Sequence, residues 1–430
     1  DFIKFWGEIS IQIYQKQLKS SVEEKLTATI DIPLLVNHYG KMENVPVMVT
    51  AWDIPEMIYM SICSANDYRS EDMSIDKAGI IVNLYRGYEN NKFKSSDLKE
   101  ASLSGLYSYL MGMTYEQFII QRLAWTLQNS NRNYHLLVAS DKINRNGIID
   151  IDHIVREKFD MSVDEFIANQ LIILWLCGQH SDPLNAPETL YRDKISDIVT
   201  KDRMKKIIEY YSVDYQQVRD SKIQKQIFYS KPFVRTQRNQ QTLLVSMHLL
   251  QMVFADSLYW LERDYYHDNN LGQAFLNAFG GMFEDYFKEL AGQYLEDDMW
   301  NKIPEGKGKS ADFYIEFDRV LFVFELKSGI MGIGAKQQMP DLEQIDKFYE
   351  RNIREAYEQL IASETAFQAK GKPIIKVFLL YEFTNNTQIM SLSLPEIFEN
   401  NTSINKQNDQ SKDILMNNIF KNEKFLVNKE

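Results

Sequence analysis

One stretch constrains this chain more than any other. Residues 310–329 read Ser310-Ala-Asp-Phe-Tyr-Ile-Glu-Phe-Asp-Arg-Val-Leu-Phe-Val-Phe-Glu-Leu-Lys-Ser-Gly329. Ala311–Glu316 and Val320–Leu326 carry strand-forming residues on either side of the short turn Phe317-Asp-Arg319, which predicts a hairpin. The second strand is apolar enough to be buried, yet it runs into Glu325 and Lys327. Residues two apart in a strand share a face, so Glu325 and Lys327 project together, and Phe322, Phe324 and Leu326 take the opposite face as core. A buried carboxylate and ammonium are costly unless something pairs them. Their mutual attraction would serve, but the hairpin also brings Asp312 beside Glu325, and that second carboxylate needs a partner of its own.

Two neighbouring carboxylates repel. A divalent cation relieves that repulsion, and hard oxygen ligands without His or Cys favour Mg²⁺ or Mn²⁺ over Zn²⁺. A lysine beside such an ion can orient a water and stabilise developing negative charge. Metal, water and ammonium together are the apparatus of phosphodiester hydrolysis. A structural hairpin with a plain Glu–Lys ion pair is the competing reading of the same residues.

Asp312, a gap of twelve residues and then Glu325-Leu326-Lys327 resembles the signature of the PD-(D/E)xK nuclease superfamily, with Ala311 standing where the family often has Pro. The resemblance covers roughly residues 271–384 and implies a restriction-endonuclease-like fold. It implies that Asp312 and Glu325 bind the metal, joined by the Leu326 backbone carbonyl, and that Lys327 positions the attacking water. It also implies an acidic residue from the preceding helix, for which Glu284 is the match ahead of Asp285. A Gln or Lys from the following helix is matched by Gln359.

The organisation around this stretch is α+β. Residues 1–270 form a mostly helical N-terminal domain, residues 271–392 an α/β domain with a small mixed sheet, and residues 393–430 a polar Asn- and Lys-rich segment. The boundary falls at the polar stretch His267–Gly272. In the first domain, helices are predicted from Asp53 as an N-cap, over Tyr115–Leu127, over Val163–Cys177 behind a Ser162…Glu165 capping box, over Arg203–Tyr211 and over Thr242–Leu261. Glu8–Tyr14 alternates like a strand, while Phe2, Phe5, Trp6, Ile9 and Ile13 fit a helix. Val45–Val49 and Ile148–Ile151 read as short strands. In the second domain, Ala274–Leu295 is helical, Leu342–Gln368 is a long helical stretch, and Ile374–Tyr381 is a strand.

The composition sets outer limits. Hydrophobic residues make up 44% and charged residues 25%, which excludes a wholly disordered chain. No apolar run reaches the length that spans a bilayer. Two cysteines, Cys63 and Cys177, can build neither a disulfide framework nor a Cys-rich zinc site, and a cytoplasmic protein is expected. The six histidines are not spaced as metal ligands. Lys142–Gly147 hints at a calcium loop but has Lys142 and His153 where acids are required. The net charge of −12 argues against indiscriminate nucleic-acid binding. Basic residues nevertheless flank the hairpin, and Lys307, Lys309, Lys336 and Arg351 are candidates for holding a phosphate backbone.

The expected activity is therefore metal-dependent hydrolysis of DNA, with RNA as an alternative substrate. A catalytically unused nuclease fold serving as a protein-binding scaffold is the reading from another class. The aromatic-rich helical domain is expected to regulate the nuclease, by binding a protein trigger or by forming a homo-oligomer. Bacterial anti-phage effectors of similar layout make host defence the expected context.

Overall fold

The computed structural model describes residues 1–31, 44–64, 72–92, 123–138, 151–236, 241–296, 299–304, 308–330, 332, 344, 347–348 and 350–381. The fold is α+β with small sheets, and the described residues separate into two compact units between Asn269 and Asn270. The C-terminal segment expected at 393–430 lies outside the described residues. Among the described residues, no helix is long and apolar enough to cross a membrane.

The first unit opens with α1 (Phe2–Gln15), which resolves the ambiguity at Glu8–Tyr14 in favour of a helix. Helical spacing prevails because it delivers Ile3, Trp6 and Ile9 to one buried core, with Phe2, Phe5 and Ile13 packed beside them. Lys16 ends the helix in the left-handed region, at φ 55°. After α2 (Ser20–Lys25), β1 (Thr27–Asp31) pairs antiparallel with β2 (Asn44–Met48), where a short strand was expected. Helix α3 (Asp53–Ser64) follows, and then α4 (Ile75–Lys92). Asp53 is the first helical residue rather than a cap outside the helix. Its carboxylate is buried, accepts the Thr50 N–H at 2.7 Å, and takes a bidentate bond from Arg86 of α4, at 3.1 Å through one guanidinium nitrogen and 2.5 Å through the other. Only the end of the helix expected over Tyr115–Leu127 is described, and it continues as α5 (Leu123–Leu137).

Helix α6 (Ile151–Phe159) begins at the residue where a short strand was expected to end. Helix α7 (Val163–Cys177) carries the predicted capping box, with both of its hydrogen bonds formed. Beyond α8 (Lys201–Tyr210), three short strands form a second sheet: β3 (Ser212–Asp214) is parallel to β4 (Phe233–Arg235), and β4 is antiparallel to β5 (Thr242–Leu244). Helix α9 (Tyr215–Asp220) lies between β3 and β4 in the chain. The helix expected over Thr242–Leu261 is corrected here. Its first residues are a buried strand, and the rest splits at Asp256 into α10 (Met247–Ala255) and α11 (Ser257–Asp268). A short apolar run is ambiguous until its neighbours are known, and here β4 supplies the pairing.

The second unit is built on one four-stranded sheet. Helix α12 (Gly272–Gly292) precedes β6 (Trp300–Lys302), β7 (Phe313–Glu316) and β8 (Leu321–Lys327), which form an antiparallel meander. The chain then passes through a π-helical turn at Glu350–Arg354 into α13 (Glu355–Phe367) and returns as β9 (Ile374–Leu380), parallel to β8. A parallel return requires a crossover of this kind, and α13 provides it. The long helix expected over Leu342–Gln368 is thus described as a helix only over its second half.

Both faces of the sheet are covered. On one face, Phe287 of α12 meets Trp300 at 4.9 Å and Phe324 at 5.8 Å between ring centroids, and Trp300 stacks on Phe313 at 4.8 Å. On the other, Leu360 of α13 packs with Leu321 and Val323, and Phe367 lies 4.8 Å from Tyr314. The expected assignment of core to the Phe322, Phe324 and Leu326 face is corrected accordingly. Leu326 is buried as expected, but Phe322 and Phe324 are only half-buried, whereas Leu321 and Val323 are buried against Leu360 of α13 and Glu325 on the same face is buried too.

Candidate active site

The site forms where β7 stops and β8 continues. The last residue pair of the β7–β8 ladder is Phe313–Phe324, so Glu325, Leu326 and Lys327 extend beyond it and, among the described residues, have a strand partner only in β9. Asp312 sits at this divergence. Its N–H donates to the Phe324 carbonyl at 3.0 Å, and its Oδ2 accepts the Leu326 N–H at 2.8 Å. The carboxylate thus takes the place of a missing backbone acceptor, and this holds it beside Glu325.

Glu325 is 1% exposed. Lys327 Nζ lies 2.7 Å from Glu325 Oε1 and donates to Gln359 Oε1 at 2.8 Å. The other oxygen of the carboxylate, Oε2, is buried and has no hydrogen-bond partner among the described residues. Burial, reinforced by the nearby Asp312 charge, pushes the Glu325 carboxyl up to about 8. Asp312 is also raised, by burial first and then by Glu284, against the opposing pull of the Leu326 N–H. Both acids therefore hold their protons more tightly than free carboxyls do.

Helix α13 organises the approach to Asp312. Gln359 uses both ends of its amide, accepting from Lys327 and donating from Nε2 to the Ser310 carbonyl at 3.1 Å. Buried Ser363, one turn further along, accepts the Ala311 N–H on Oγ at 2.8 Å. Lys309 is paired with Glu358. Three consecutive residues ahead of Asp312 are thus tied to one helix. Gly329, just past the site, leaves room for Asn352: a Cβ there would stand 2.1 Å from the Asn352 side-chain oxygen.

The sequence-predicted residues fare differently. Asp312, Glu325, Lys327 and Gln359 are brought together. Leu326 meets Asp312 through its N–H. Glu284 on α12 is close enough to raise both acids, yet its carboxylate is bound to Lys302 at 3.1 Å. Lys309 spends its charge on Glu358, and Arg351 is exposed on the π-helical turn. Lys307 and Lys336 lie outside the described residues, as does the Lys142–Gly147 loop. Ser363 was not among the predicted site residues, and Lys302 was expected only as one of the basic residues that flank the hairpin. The spacing of Ser363 from Gln359, i and i+4 on one helix, was the available signal.

Among the described residues, no three His, Cys, Asp or Glu side chains are gathered as a metal site. The donor set nevertheless suits a hard cation. Asp312 and Glu325 offer only oxygen, and Oε2 of Glu325 is a desolvated acceptor with nothing to accept. No family model matches the chain, and no curated protein or solved structure is similar enough to match it.

Proposed function

We propose that the second unit is a metal-dependent nuclease that hydrolyses phosphodiester bonds in DNA, built on a restriction-endonuclease-like core. The observation that carries this reading is the buried Glu325 carboxylate, bonded to Lys327 on one oxygen, bare on the other, and set beside Asp312. A purely structural ion pair leaves the bare oxygen and the second acid without a reason.

Mg²⁺ or Mn²⁺ held by Asp312 and Glu325 would supply positive charge to a phosphoryl oxygen and acidify a bound water. The protein residues do the rest. Glu325 and Gln359 fix the Lys327 ammonium from two sides, so its remaining proton can point at an attacking water. Leu326 orients Asp312 through its N–H. Helix α13 excludes bulk solvent from beneath β8, which strengthens every charge interaction there. The helical first unit is proposed as the regulator that restrains this activity in a cytoplasmic defence role.

The test compares the wild-type protein with Glu325→Ala on plasmid DNA, linear DNA and RNA in the presence of Mg²⁺ or Mn²⁺. Cleavage by the wild type alone supports the reading, and the preferred polymer settles DNA against RNA. Equal behaviour of the two proteins on every polymer returns the chain to the scaffold class.

A further inference from the structure

The third acid of the site is present but engaged elsewhere. Glu284 lies 29% exposed on α12, and its carboxylate is bound to Lys302 Nζ, 57% exposed, at 3.1 Å. Lys302 closes β6 and is in register with Phe313, the residue after Asp312. Its charge is felt by Asp312, as is that of Glu284. The ammonium is thus bonded to an acid that β7 and β8 do not hold, and its register partner Phe313 adjoins Asp312.

We propose that Lys302 is a latch on Glu284 which a phosphate of the nucleic-acid backbone opens. This inference rests on the nuclease reading above. An ion pair this exposed is worth little, so exchanging the carboxylate for a phosphate oxygen at Lys302 costs little. A polyanion supplies many such oxygens and is drawn to the lysine by its charge. The exchange releases a carboxylate beside Asp312 and Glu325, which are short of a third ligand. Metal and nucleic acid then promote each other's binding by the same factor, because coupling between two sites is reciprocal. Two other basic residues of this unit are also paired with acids: Lys309 with Glu358 and Arg354 with Glu350. Only the Lys302 pair, among these, hands a carboxylate to the metal when it breaks.

Mn²⁺ affinity is the readout, followed by electron paramagnetic resonance without nucleic acid and again with a short phosphorothioate DNA duplex, corrected for ion bound by the duplex alone. Lys302→Gln should bind Mn²⁺ about two- to five-fold more tightly than wild type without DNA, the range an exposed pair supplies. Removing a positive charge would also help a cation non-specifically, so the decisive protein is Glu284→Gln/Lys302→Gln. The gain must vanish on the Glu284→Gln background, and the duplex must tighten Mn²⁺ binding by wild type more than by Lys302→Gln. A gain that persists without Glu284, or equal duplex effects, overturns the latch and leaves the nuclease reading standing. If wild type binds Mn²⁺ no better than Glu325→Gln does, the nuclease reading falls and takes the latch with it.

Discussion

The Asp312 carboxylate accepts the Leu326 N–H at 2.8 Å, a side-chain bond that extends the contact with β8 past the last residue pair of the β7–β8 ladder. Two acids are thereby fixed in a place where neither ionises easily.

The first consequence is a pH dependence of stability. An unfolded chain releases the Glu325 proton at an ordinary carboxyl value, whereas the folded chain holds it up to about 8. Between those values the folded form binds more protons, so stability falls as pH rises. Glu325→Gln lacks the ionisation. In metal-free buffer it should melt above wild type at about pH 9 and close to wild type near pH 5. Added Mn²⁺ should raise the wild-type melting temperature at the higher pH and leave that of Glu325→Gln in place. A Glu325→Gln protein that melts lower than wild type throughout this range would contradict the assignment of a repelling pair.

Lys327 and Gln359 should separate in kinetics. Lys327→Ala removes the ammonium that faces the water, and turnover should drop about 10²- to 10³-fold with Mn²⁺ binding retained. Gln359→Ala removes one of two restraints on that ammonium, so the loss should be smaller and partly recovered in Gln359→Glu. Steady-state cleavage rates at saturating DNA decide this, and equal losses in the two variants would assign Gln359 a different role.

Ser363→Ala leaves the buried N–H of Ala311 without its acceptor. The expected cost is about 1–3 kcal/mol in urea-induced unfolding of the second unit. Because Ala311 adjoins Asp312, Mn²⁺ affinity should weaken as well, and Ser363→Thr should restore it. Unchanged metal affinity would make Ser363 a packing residue only.

In the first unit, Asp53→Ala removes the carboxylate that both terminal nitrogens of Arg86 reach inside the core. Loss of one partner from a buried pair costs about 3–5 kcal/mol. Chemical denaturation should show that loss, and Mn²⁺ binding by the second unit should not change.

The hairpin was legible in the sequence because strand period, turn and charge agreed at Phe317–Arg319 and at Glu325. The capping box at Ser162 was legible for the same reason: two residues at fixed spacing satisfy named backbone groups. Burial along β8 was assigned correctly for Leu326 but not for Phe322 and Phe324, since alternation gives two faces and cannot rank them. Helix α13, brought back by the crossover to β9, decides that Leu321, Val323 and Glu325 are the deeper set. Strands β3, β4 and β5 were missed because three residues carry too little pattern, and their pairing is non-local. The ties from Glu358, Gln359 and Ser363 to residues 309–311 span about fifty positions of sequence, beyond the reach of any local rule.

Trp300 gives the second unit a built-in observer. Of the six tryptophans in the chain, it alone falls after residue 260. Its ring touches Phe313, the neighbour of Asp312, and it lies two residues from Lys302. In protein labelled with 5-fluorotryptophan, one fluorine resonance therefore belongs to this unit, and its movement on adding Mn²⁺ or DNA would report events at β6 and β7 without any chemistry taking place.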